Sequence, residues 1–232
     1  MALKAENVQI LAEFFANTAH DFKTPIMVLM TTLYLLNEEP HTEKQEQIIR
    51  KLQRQVARLA SLTENMFHMS ALEIHDGYHF HPTDVVDLAE QIVQEFAPIA
   101  EAKHQTIDNV YTEESIVADI DPFFMRRAIS NVISNAIMYS PEDGRILLYT
   151  YRHDAHVVFE VKDSGIGIGE KDLPHIFDRF YRADASRNTK TGGGGLGLSI
   201  VKKIVQDHSG YVEVDSELTR GSTFRIVVPV RQ

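Results

Sequence analysis

The chain contains no cysteine. Disulfides, thiolate metal centres and cysteine nucleophiles are therefore excluded, and a reducing compartment is expected. Long apolar runs are missing too. Stretches such as Pro25–Met30 fall far short of the roughly 20 residues that span a bilayer, so no membrane contact is expected of this segment. Lys4, Glu6 and Glu13 interrupt any apolar core at the start, which does not read as a signal peptide. Basic residues are scarce: 23 Lys and Arg against 33 Asp and Glu leave a formal charge of -10, which argues against general nucleic-acid binding. What is present is ordinary for a globular protein, with 44% hydrophobic residues in 232, enough for one large domain or two small ones.

The periodicity divides the chain in two. Phe15, Ala19, Phe22, Ile26, Leu29, Leu33 and Leu36 alternate four and three apart, a heptad seam along one helix. Asn37–His41 holds a proline and no heptad and reads as a turn. Thr42 and Gln45 fit a capping box opening a second helix, whose seam runs through Leu52, Val56, Leu59, Leu62, Met66 and Met69. A single hairpin of this kind leaves much of its seam in water, so a homodimeric four-helix bundle is expected. Residues 1–76 form this first domain, and 77–82, with Gly77 and Pro82, read as a linker.

From 83 to 232 the pattern is mixed. Helices are expected over 84–103, 121–139 and 195–208, and strands over 105–111, 115–120, 145–151, 156–161, 211–215 and 223–230. This order suggests a two-layer α/β domain.

Five segments carry chemistry. His20 lies one residue past the seam position Ala19, rotated about 100° off the core toward water. Asp21 adjoins it, Thr24 is one turn on, and Pro25 should bend the helix. An exposed imidazole beside a carboxylate can serve as a nucleophile, although most helix histidines are simply solvated. The other ten histidines, including His75, His79 and His81, lack this context. Asn131 and Asn135, four apart on a helix, share a face and offer amide oxygens to a hard cation such as Mg²⁺; alone they would read as a polar stripe. Asp163-Ser164-Gly165-Ile166-Gly167-Ile168-Gly169 follows a strand, so a carboxylate at the strand end meets glycines that let a ligand approach the backbone. Such a carboxylate can accept a hydrogen bond from an exocyclic amine, as adenine offers. Gly192–Leu198 precedes a helix and presents free N–H groups suited to an anion, yet no Lys-Ser or Lys-Thr follows as in a P-loop. Between them, Phe177–Arg182 brings aromatics that can anchor a loop and Arg182, which can reach phosphate oxygens. Residues 184–195 are polar and glycine-rich, as a nucleotide lid would be.

Taken together, these segments resemble the sensor histidine kinases of two-component signalling. His20–Pro25 is similar to the family's H box, Asn131–Ala136 to its N box, Asp163–Gly169 to the first glycine box, Phe177–Phe180 to the F box and Gly193–Gly197 to the second glycine box, all in family order. The resemblance implies a dimerisation and phosphotransfer hairpin followed by a Bergerat-type ATP-binding domain. It implies that His20 accepts the γ-phosphoryl group of ATP, with Asp21 as base or orienting partner and Thr24 placed for dephosphorylating the partner. Asn135 with Asn131 would hold Mg²⁺, Asp163 would bind the adenine amine, and Tyr139 would flank the nucleotide. Gly165, Gly167, Gly193, Gly195, Leu196 and Gly197 would shape the pocket and its lid. The implied partner is a response-regulator receiver domain meeting the hairpin along Met27–Leu36 and Gln45–Arg54. The implied setting is cytoplasmic, as a stand-alone kinase or the inner part of a membrane receptor.

Three positions depart from the family pattern: Asp21 for the commoner glutamate, Lys23 for arginine, and Met138 where many relatives carry a lysine near the phosphates. The last shifts charge neutralisation toward Arg182, with Arg179 as a second candidate. Two rival readings stay open at this level. One is another ATPase of the same superfamily that hydrolyses ATP without a phosphohistidine; the other is a nucleotide-binding scaffold.

Overall fold

The computed structural model describes residues 26–31, 33–34, 42–43, 45–50, 52–53, 56, 59, 78–179, 181, 183 and 195–230. His20, Asp21, Thr24, Arg182 and Gly193, with most of the expected lid, lie outside the described residues. The chain divides into two units, one comprising residues 1–77 with 184–196 and the other 78–183 with 197–232.

In the first unit the described hairpin residues are helical, and the second helix opens on the expected capping box. The Thr42 N–H donates to Gln45 Oε1 at 2.9 Å while the Gln45 N–H donates back to Thr42 Oγ1 at 3.4 Å. Ile26, Leu33, Ile49 and Val56 form a buried cluster, a heptad apart on each helix. Leu29 and Leu52, also seam positions, remain about half exposed. The seam therefore separates into a set satisfied within the hairpin and a set that is not.

The second unit is built from β1 (His81–Asp84), α1 (Val85–Glu101), β2 (Thr106–Tyr111), β3 (Val117–Ile120), α2 (Pro122–Tyr139), β4 (Arg145–His153) and β5 (His156–Asp163). These are followed by a single 3₁₀ turn at Leu173–His175 and by α3 (Gly197–Asp207), β6 (Tyr211–Glu217) and β7 (Gly221–Pro229). A five-stranded sheet runs β2-β4-β5-β7-β6, and β1 pairs with β3 in a separate ribbon. Only β2 and β4 are parallel; the other pairs are antiparallel. Three helices on one face of a mixed sheet make the expected two-layer sandwich.

The first two of these helices, α1 and α2, start where a carboxylate caps them. Asp84 Oδ1 accepts the Val86 N–H at 2.9 Å, and Asp121 Oδ1 accepts those of Phe123 and Phe124 at 3.1 and 3.2 Å, with Pro122 in the first turn. The central helix α2 buries Phe124, Met125, Ala128, Ile129, Val132, Ile133, Ala136 and Ile137, a face too wide for one neighbour. It packs against α1, α3 and the sheet.

Strand alternation sets the inner face. Ile146 and Leu148 of β4, Val157, Phe159 and Val161 of β5 and Phe224, Ile226 and Val228 of β7 are all buried. Asp163 continues the odd-numbered series of β5, so the pleat carries it to the helix side of the sheet rather than to water.

Most of the expected linker over 77–82 carries contacts of its own. Tyr78 and Phe80 meet the buried His208 ring edge-on with centroids 5.0 and 4.9 Å away, and His81 and Pro82 belong to β1. Pro82 suppresses a strand reading from sequence, but a two-stranded ribbon has free edges, where a missing N–H is tolerated.

Candidate nucleotide-binding site

The first site element is the end of β5. Asp163 Oδ1 accepts the N–H groups of Gly165 at 2.7 Å and Ser222 at 3.2 Å. Both bonds fall on one oxygen, leaving Oδ2 for an incoming donor. Burial pushes the carboxyl above the usual carboxylate range, against the pull of those two N–H groups. A ligand N–H aimed at Oδ2 would relieve that desolvation.

The glycines that follow are required by close backbone approaches. A Cβ on Gly165 would stand 2.8 Å from the Tyr139 carbonyl oxygen. Gly167 has φ +69°, and a Cβ there would fall 2.0 Å from the Glu217 carbonyl oxygen. The Ile166 N–H donates to Tyr139 O at 3.2 Å, and the Thr219 N–H donates to Ile166 O at 2.7 Å. The Ile168 N–H donates to Ser216 Oγ at 2.8 Å. The loop is thus clamped between the C-terminus of α2 and the β6–β7 turn.

The second element is α2 itself. Asn131 and Asn135 lie one turn apart on a half-buried face, and Tyr139 closes the helix with its ring partly exposed. Asn131 Nδ2 is buried with no hydrogen-bond partner among the described residues. Its Oδ1 lies 3.5 Å from where a Cβ on Gly197 would project, so the start of α3 is close to this asparagine. Gly195 has φ +70° and Leu196 is buried.

Next to the first glycine segment, the aromatic segment is anchored. The Tyr181 hydroxyl donates to Asp172 Oδ1 at 2.7 Å, which raises the phenol pKa. His175 Nδ1 lies 2.9 Å from Asp178 Oδ2, and Lys202 Nζ sits 5.8 Å from the Phe177 ring centre.

The structure therefore brings Asp163, Gly165 and Tyr139 together at one end of α2 and Asn131 and Gly197 at another point along it. Sequence reading missed Gly221 and Ser222. Gly221, at φ +90°, would place a Cβ 2.0 Å from the Asp163 carbonyl oxygen, and Ser222 caps the Asp163 side chain. The Thr219-Arg220-Gly221-Ser222 turn was the available signal, but its contact lies about 60 residues from the carboxylate it serves.

A helix-backed mixed sheet with a buried carboxylate at a strand end, followed by backbone-clamped glycines, defines a nucleotide-binding ATPase class. The comparisons agree. Residues 120–232 match the family described as histidine kinase-, DNA gyrase B- and HSP90-like ATPase, and residues 10–74 match the His Kinase A (phospho-acceptor) domain. The chain is 32% identical over 228 residues to the sensor histidine kinase RppB of Synechocystis, covering 97% of this chain and 50% of that protein. It is 32% identical over 229 residues to the sensor histidine kinase WalK of Bacillus subtilis, covering 95% of this chain and 37% of that protein. Among solved structures, full-length ShkA in complex with AMPPNP superposes with a TM-score of 0.74 at 27% identity, over 94% of this chain and 45% of that one. The chain belongs to the sensor histidine kinase family. It spans half or less of the length of these two curated relatives.

Proposed function

We propose that the chain is the ATP-dependent autokinase core of a two-component sensor. The observation that carries the reading is Asp163: a buried carboxylate at a strand end, one oxygen tied to two backbone N–H groups and the other open, beside glycines that admit a ligand. The adenine amine would donate to Oδ2, and Tyr139 would flank the base. The orphaned Asn131 amide and the space kept open at Gly197 fit a nucleotide's phosphates and Mg²⁺. Asn131 and Asn135 would supply amide oxygens to the ion, and Arg182, Gly193, Gly195 and Leu196 would close over the phosphates. Bound Mg²⁺ would neutralise phosphate charge.

Residues 1–76 would act as the dimerisation and phosphotransfer hairpin and 83–232 as the ATP-binding domain. A ring nitrogen of His20 attacks the γ-phosphorus, the bond to the bridging oxygen breaks, and ADP leaves. Asp21 holds the imidazole in the reactive tautomer. The phosphoryl group then passes to a receiver-domain aspartate, the P–N bond breaking as the new P–O bond forms, and Thr24 serves the opposing activity, in which water takes the phosphoryl group from that aspartate. Exposed Met27, Met30 and Tyr34 on the first helix support a receiver-docking face, and half-exposed Leu29 and Leu52 support pairing with a second copy. The need for ATP supports a cytoplasmic setting.

Incubation with γ-labelled ATP tests the proposal. Acid-labile, base-stable label is expected on the wild type and none on His20→Gln. A folded protein that binds ATP and never labels would instead be a scaffold. One that releases phosphate without labelling would be a superfamily hydrolase.

A further inference from the structure

Gln105 lies between α1 and β2, outside the segments given a role in the site, and its side chain is buried. Its Nε2 donates toward the carbonyls of Ile137 at 3.2 Å, Ser140 at 2.9 Å and Pro141 at 3.0 Å. Carbonyls only accept, so this contact set fixes which end of the amide faces them. The cause lies in the sequence of α2. The donor that would continue the helix onto Ile137 O is residue 141, a proline without an N–H. Lys103 Nζ reaches the same oxygen at 3.2 Å, where a cation also suits the helix C-terminus.

The segment held by Gln105 adjoins the adenine end of the site. The Tyr139 carbonyl, between the pinned Ile137 and Ser140 carbonyls, receives the Ile166 N–H and lies against Gly165. Residues 140–144 lead into β4, where the Arg145 N–H donates to Ser164 Oγ at 2.8 Å and the Ser164 N–H donates to Arg145 O at 3.2 Å. Ser164 is the residue after Asp163.

Stability alone does not call for glutamine here. Oε1 of Gln105 is buried without a partner among the described residues, a liability a methionine would remove. Two of the three carbonyls also have other donors, Lys103 Nζ on Ile137 O and the Gly144 N–H on Pro141 O. The amide's distinctive effect is to hold a helix end and the following loop at one point.

We infer that Gln105 is a positioning residue for the adenine subsite, fixing the end of α2 so that the glycine loop presents the Asp163 carboxylate at the correct distance from the base. This rests on the nucleotide reading of the site. Guanine places a carbonyl oxygen where adenine has its amine, so discrimination depends on how closely that carboxylate is held.

The test titrates ADP and GDP with Mg²⁺ into the full chain by calorimetry, for the wild type and Gln105→Met. The variant is expected to bind ADP about tenfold more weakly, with a correspondingly narrower preference over GDP, while kcat at saturating ATP holds. A merely structural role would lower the binding-competent fraction or the melting temperature and leave the affinity ratio alone; that result overturns the inference. Gln105→Asn keeps the amide but withdraws it by one methylene, and gives the same reading should the methionine variant fail to fold. A wild type that binds neither nucleotide would overturn the nucleotide reading itself, and this inference with it.

Discussion

Asp163→Asn separates binding from stability, because the structure gives the carboxylate opposite effects on the two. The asparagine oxygen can keep both backbone bonds, from Gly165 and Ser222, since they converge on a single oxygen. Its amide then replaces Oδ2 and turns two N–H groups toward the adenine amine, donor against donor. A hydrogen bond to a charged group contributes about 1.5–3 kcal/mol, so ADP affinity should fall roughly 10- to 100-fold. Stability should move the other way or not at all. Burial raises the Asp163 pKa, so the ionised form is held in the folded state at a cost that asparagine does not incur. The same amide suits the guanine carbonyl, so GDP binding should improve. Calorimetry with ADP and GDP, beside a thermal melt at pH 7, reads all three quantities. ADP affinity within twofold of wild type, or a loss of binding that merely follows a loss of folded protein, would refute the reasoning.

Four further outcomes are expected. Gly167→Ala should lower the melting temperature and weaken ADP binding, since φ +69° costs a non-glycine residue about 1–2 kcal/mol and the new Cβ would lie 2.0 Å from Glu217 O. Gly169→Ala, whose nearest atom would be the Asp172 carboxylate at 3.2 Å, should be far milder in the same melt. His208 is fully buried, accepts the Asp121 N–H at Nε2 and places Nδ1 2.8 Å from Ile204 O; burial lowers its pKa, although the Ile204 carbonyl and the nearby Asp121 and Asp207 oppose the shift. Its unfolded form therefore takes up a proton first. Its contribution should be complete above pH 6.5 and decline as pH falls from there toward the depressed folded value, at up to about 1.4 kcal/mol per pH unit, and His208→Gln should flatten that part of a melting-temperature profile. Leu52→Glu should yield a monomer in sedimentation with helical content retained, because Ile26, Leu33, Ile49 and Val56 already pack within one hairpin.

The elements legible in the sequence were those whose cause is local. The helix expected over 121–139 appears as α2 because Asp121, Pro122 and the apolar spacing all lie within its own span. The strand expected over 156–161 extends to Asp163, since its alternation continues to the carboxylate. Asp163 and its glycines were legible as a set because Gly165 and Gly167 each sit against backbone that a side chain would obstruct. β1 was not legible: four residues with a proline carry no alternation, and their strand state comes from pairing with Val117–Ile120. Nor could the heptads alone divide the hairpin seam. They place Leu29 and Ile26 on one stripe, and only the folded hairpin buries Ile26 while leaving Leu29 half exposed.

What sequence proximity hides is how strongly the site depends on one helix. α2 carries Asn131 and Asn135 along its length and ends at Tyr139, whose carbonyl holds the first glycine loop. The glycine that opens α3 approaches Asn131. A helix is stiff along its axis, with a fixed rise per residue, so the spacing between the Asp163 end of the site and Asn131 is set by about two turns of α2. Stiffness within the helix fixes that distance only if the helix end is itself tied down. The end of α2 is where Pro141 removes a backbone donor, and where Gln105 and Lys103 supply donors from the neighbouring layer. A loose end would let the glycine loop drift relative to Asn131 without breaking any contact on either side. Affinity for the whole nucleotide should therefore be more sensitive to the tether at Gln105 than affinity for either adenosine or pyrophosphate taken alone.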